Sequence, residues 1–167
     1  MSVEILVHSQ TGHCLSVAET LAGLARASGH RASLTRVTPS DEKETDPAKL
    51  SITPVPQDAG ADLYVIGAPV HGFSATPAIR KAVAQMPFLD GKRVVLFTTE
   101  WFPLDWMGGT HALRQLEQDV TGQGGQVVAT CVIHWERKDR EEQIEAFSRQ
   151  FSQVLQGRGD IEPEVGG

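Results

Sequence analysis

The chain has 167 residues, 40% of them apolar and 22% charged, and its 21 acidic against 15 basic side chains leave a formal net charge of −6. That length suits one compact domain burying roughly two-thirds or more of its surface, without a disulfide or metal staple. The charge argues against nucleic acid and anionic lipid as partners, and favours encounters with a basic protein face.

Two cysteines, Cys14 and Cys131, are too few for a secreted disulfide framework and fit a reducing, cytoplasmic compartment. The first residues carry no basic leader or small-residue cleavage site. No apolar run approaches the ~20 residues that cross a bilayer.

Val3 to Val7 is nearly all apolar, as in a strand buried on both faces. A helix follows from about Cys14 to Ser28, with Ala18, Leu21, Ala22 and Ala25 on one face and Gly29 placed for a left-handed end. Arg31 to Val37 mixes polar and apolar residues, which suits an edge strand. From Thr38 to Ala61, four prolines and the cluster Asp41-Glu42-Lys43-Glu44 predict a crossover helix that is short or absent.

Leu63 to Gly67 is a third strand. The next helix has Thr76 as N-cap and Pro77 in its first turn, with Ile79, Ala82, Val83 and Met86 inward. Arg93 to Phe97 is a fourth strand, about Thr110 to Thr121 a helix, and Gln126 to Ile133 a fifth strand. The last helix, about Asp139 to Leu155, turns Ile144, Phe147, Phe151, Val154 and Leu155 to the core, which leaves residues 157–167 as a flexible tail.

Strands alternating with amphipathic helices predict an α/β fold: a three-layer, doubly wound, five-stranded parallel sheet of order 2-1-3-4-5, in a single domain over residues 1–156. Ligands of such sheets lie beyond the carboxyl ends of the strands, at the switch point between strands 1 and 3. The loops after strands 1, 3 and 4 are therefore the predicted site.

The first of these, His8-Ser9-Gln10-Thr11-Gly12-His13-Cys14, offers hydroxyls at Ser9 and Thr11, a glycine that admits close approach, and free amides at a helix start. Together they suit a phosphate; alternatively Ser9 and Thr11 only cap the helix. The loop resembles that of the flavodoxin family, Ser/Thr-x-Thr-Gly-x-Thr, with Ser9, Thr11 and Gly12 matching and Cys14 replacing the last threonine. Ala68-Pro69-Val70-His71-Gly72 is similar to the family segment that closes strand 3 and bends over the flavin ring. Thr98-Thr99-Glu100-Trp101-Phe102, running on through Trp106 to Gly108 and Gly109, departs from the family's Gly-Asp-x-x-Tyr pattern but keeps large aromatics.

The resemblance implies flavin mononucleotide (FMN), its phosphate on Ser9, Gln10, Thr11, Gly12, His13 and Cys14. The ring then lies among Pro69, Val70, His71, Gly72, Phe73, Thr98, Thr99, Glu100, Trp101, Phe102 and Gly108. The same aromatics suit packing within their own loop or a subunit interface. Cys14 reads as a packing residue or replaced hydroxyl rather than a redox thiol, and Cys131 as core. Glu100 reads equally as a tuner of the ring or a solvated carboxylate. The six histidines lack metal-ligand spacing.

An Asp at the end of strand 3, a Cys with an Arg six residues on, and Gly-x-Gly-x-x-Gly after strand 1 are all missing. Their absence argues against receiver, phosphatase and dinucleotide readings. The expected function is electron transfer between redox partner proteins or to a small acceptor, with no catalytic side chain. An oligomeric NAD(P)H-dependent FMN reductase or quinone oxidoreductase is the alternative, and a module that has lost flavin a third reading.

Overall fold

The structure, a computed structural model, describes residues 1–101 and 108–158. The long strands are β1 (Ser2–His8), β2 (Arg31–Pro39), β4 (Leu63–His71), β6 (Arg93–Glu100) and β7 (Gln126–His134); β3 (Ile52–Thr53) and β5 (Ser74–Ala75) are two-residue pieces. The helices are α1 (His13–Ala27), α2 (Pro77–Ala84), α3 (Gly109–Gly122) and α4 (Arg140–Leu155).

All neighbours among the long strands pair in parallel, in the order β2-β1-β4-β6-β7. Counting only these, the order is the expected 2-1-3-4-5, with the reversal between β1 and β4. Two antiparallel additions go beyond that expectation. β3 pairs with the end of β2, and β5 folds back on β4. Helices α1 and α4 cover one face of the sheet around Ile5, Val65, Phe97 and Phe147, while α2 and α3 cover the other around Ile66, Ile79, Leu96 and Leu116.

The crossover after β2 contains a 3-10 turn, Pro47–Lys49, where a helix would otherwise lie. Proline rigidity and Asp46, whose side chain accepts from Ala48 N–H at 3.0 Å, account for the short turn. Leu50 and Ile52 still reach the core, and Lys81 donates to the carbonyls of Pro47 and Leu50. Gly29 takes φ 87° and ends α1 in the expected left-handed conformation, with His30 N–H bonded to Ala25 O at 3.0 Å.

Gly67 has a different role from a turn former. It lies within β4, and a Cβ there would stand 2.2 Å from Phe97 Cζ, so the bare backbone is what seats the Phe97 ring. Phe102 and Trp106 of the predicted site, and the predicted tail beyond Arg158, lie outside the described residues.

Candidate functional site

Between the end of β1 and the start of α1, Ser9, Gln10, Thr11 and Gly12 alone make the turn, with Gly12 at φ 88° as the N-cap residue. Ser9 is buried, and its Oγ accepts from the amides of Gly12 at 3.2 Å and Leu15 at 3.3 Å. Its side chain therefore does fulfil the capping alternative. Thr11 and Gln10 are exposed, and the amides of Thr11, His13 and Cys14 meet no acceptor among the described residues. Arg36 reaches from β2 to donate to the Ser9 carbonyl, bringing a guanidinium to the turn. Open amides at a helix N-terminus, an exposed hydroxyl and a nearby cation together fit a phosphate monoester.

A chain of hydrogen bonds fixes this turn to its neighbours. His8 Nε2 lies 3.0 Å from Glu42 Oε2 and His8 Nδ1 2.7 Å from Thr76 Oγ1. A carboxylate only accepts, so Nε2 donates to Glu42 and Nδ1 accepts the Thr76 hydroxyl. Burial lowers the His8 pKa below the usual histidine value, against the opposing pull of Glu42. Gln10 Nε2 donates to Glu42 Oε2 at 2.7 Å, and Gln10 Oε1 accepts from His71 Nε2. Thr76 stands at the N-cap of α2 as expected, yet its side chain makes no cap bond because His8 holds it.

Across the switch point, Pro69 and Val70 belong to β4 itself, and Gly72-Phe73 form the two-residue turn to β5. Gly72 at φ 60° is what a hairpin with glycine in the first central position requires. Phe73 is left 62% exposed. Gly108, at φ 117°, starts α3 so close that a Cβ would lie 2.8 Å from Phe73 Cα.

At the end of β6, Thr98, Thr99 and Glu100 are buried, whereas Trp101 is 57% exposed. Thr99 Oγ1 lies 3.0 Å from Cys14 Sγ, and burial pushes the Cys14 thiol up to about 12. Cys14 is thus a packed thiol whose side chain bonds Thr99; its contribution to the turn is its amide. Glu100 is no solvated carboxylate: its Oε2 sits 3.5 Å from His134 Nδ1, against the backbone of Gly109. Cys131 is only partly buried, and burial likewise pushes its thiol up to about 12.

The site also contains residues that the sequence reading passed over. Trp135 follows β7, and the His13 ring stacks on it with centroids 4.0 Å apart and planes 12° apart. Trp101 lies near-parallel to the same histidine, at 6.1 Å and 9°, while Arg140 covers Trp135 at 4.7 Å. Extending the strand-end rule to the fifth strand would have found Trp135. Glu42 and Arg36 carry no such signal, one lying in a charged cluster and the other in an edge strand. Among the described residues no group of three or more His, Cys, Asp or Glu is arranged to hold a metal, and no helix is long and apolar enough to cross a membrane.

No protein-family model matches the chain, and no curated protein sequence does. Among solved structures it is similar to a flavodoxin of Streptococcus pneumoniae TIGR4, at 14% identity and TM-score 0.63, over 92% of this chain and 99% of that one. It is also similar to Megasphaera elsdenii flavodoxin in its two-electron reduced form, at 19% identity and TM-score 0.63, over 90% and 98% of the two chains. A Lactobacillus acidophilus flavoprotein in complex with FMN matches at 15% identity and TM-score 0.60, over 85% and 97%. At these identities the likeness is one of fold, and the fold is flavodoxin-like.

Proposed function

We propose that the chain is an FMN-binding electron-transfer protein, with residues 1–156 as its one domain and the cytoplasm as its place of work. The observation that carries this reading is the β1–α1 turn, where three open amides and an exposed threonine hydroxyl stand beside Arg36 at a helix start. The fold of a flavoprotein crystallised with FMN supports the choice of ligand.

In this reading Thr11, Gly12, His13 and Cys14 hold the phosphate, the last two through their amides. Phe73 and Trp101, exposed on the two loops beyond β4 and β6, bracket the planar ring. Bound FMN supplies one- and two-electron redox chemistry. The protein orients the ring and excludes water from it, and its net charge of −6 guides a basic redox partner.

The same exposed aromatics also suit a site completed by a second copy, as in an FMN-dependent NAD(P)H or quinone reductase. Titration of the purified protein with FMN, followed by quenching of flavin fluorescence, tests the first claim. Rapid NADH or NADPH oxidation by the loaded protein alone would replace the carrier with the reductase.

A further inference from the structure

His13 serves two ends of the site at once. Its amide is one of the open donors of the phosphate turn, while its ring lies flat on Trp135 at 4.0 Å. Trp101 is near-parallel to that ring, at a centroid distance within the offset-stacked range. Arg140 closes the far side of Trp135, and it also donates to the Trp135 carbonyl at 3.0 Å. Backbone bonds lock the same corner, since Trp135 N–H donates to the carbonyl of Glu100 at 2.7 Å. Four side chains from α1, β7's exit, α4 and β6's exit thereby make one stack, ending in Trp101, a residue 57% exposed.

An exposed indole on a loop ordinarily samples several rotamers, and a planar ligand stacking on it must first select one. A fixed platform behind it removes that cost. We propose that His13 and Trp135 are positioning residues: a stacked pair that fixes the plane of Trp101, so that its open face receives the flat ring of the ligand. The inference rests on the FMN reading for the identity of that ring, but the platform itself belongs to the unloaded chain.

Two measurements test it. The first needs no ligand: the His13 Hε1 resonance, assigned by its loss in His13→Gln, reports ring currents from both indoles. It shifts in Trp135→Leu and in Trp101→Leu; an unmoved resonance in Trp101→Leu overturns the platform. Its acid titration has a midpoint below the ordinary histidine value, because burial and Arg140 disfavour the imidazolium against the weaker pull of Glu136.

The second measurement compares affinities for FMN and riboflavin. Trp135→Leu weakens both by the same factor, about three- to tenfold, and Trp135→Phe restores them. In the Trp101→Leu background, Trp135→Leu costs nothing further, as expected of a residue acting through Trp101. Additive losses, or a loss confined to FMN, overturn the positioning role. A wild-type protein that binds neither ligand defeats the FMN reading, and the resonance test then decides the platform alone.

Discussion

The two ends of the site are built from different forces. At the end proposed for the phosphate most side chains are already engaged with one another: Ser9 caps the turn, and Gln10, Glu42, His8, Thr76 and His71 form one hydrogen-bonded chain, so what is left open is backbone and the Thr11 hydroxyl. At the ring end the backbone is paired in β6 and β7, and what is left open is aromatic surface on Phe73 and Trp101. Directional amides select a charged group at a fixed distance, whereas stacked faces accept any planar ring. In the proposed reading the first end sets specificity for the ester, the second affinity for its ring.

The largest effects follow from two glycines, Gly12 for its left-handed backbone and Gly109 for the close packing around it. Gly12→Val forces a β-branched residue into φ 88° and destabilises the protein by ~1–3 kcal/mol in urea unfolding, with loss of tight FMN binding. At the other end, Gly109→Ala brings a Cβ to 2.5 Å from Glu100 Oε2 and 2.6 Å from Val132 Cγ1. It costs about 1–3 kcal/mol by overpacking, and it weakens riboflavin and FMN alike. An equal loss for both ligands in Gly12→Val would erase the distinction between the ends.

Smaller and sharper is Thr11→Val. Removal of one hydroxyl weakens FMN by about tenfold and leaves riboflavin unchanged by fluorescence titration. Acid sensitivity belongs to the polar chain. The folded-state pKa of His8 lies below its unfolded value of 6.5, so the unfolded chain binds the extra proton first. Stability is full above that value and falls as pH drops through the window beneath it, and His8→Gln flattens that part of a urea–pH profile. The smallest effect is at Cys14: with its thiol pushed up to about 12, alkylation at pH 8 proceeds only as fast as the protein opens. Labelling at a free-thiol rate would show that the Thr99 contact does not hold.

Most of the architecture is legible in the sequence because each buried strand is a short apolar run and each helix an amphipathic one. Val3 to Val7, Leu63 to Gly67 and Arg93 to Phe97 name their own places in the sheet. Prolines mark the crossover as irregular, but nothing local announces that Ile52 and Thr53 pair with β2, a contact set by the packing of Leu50 and Ile52 in the core. In the site, the turn from Ser9 to Gly12 is legible as a unit of consecutive residues. The Glu42–Gln10–His71 chain and the His13–Trp135 stack are not, since each joins residues far apart in the chain whose meeting depends on the order of the strands. Cys14 shows the limit of a motif: the position matches a hydroxyl in the resembling family, while here the side chain is engaged by Thr99.

Whether backbone amides at the β1–α1 turn hold a phosphate ester is decided by parallel titrations of the unloaded protein with FMN and riboflavin. Charge-assisted hydrogen bonds of ~1.5 kcal/mol each predict that FMN binds tighter than riboflavin by about a hundredfold when two are made. Equal affinities for the two, or no quenching by either, would contradict it.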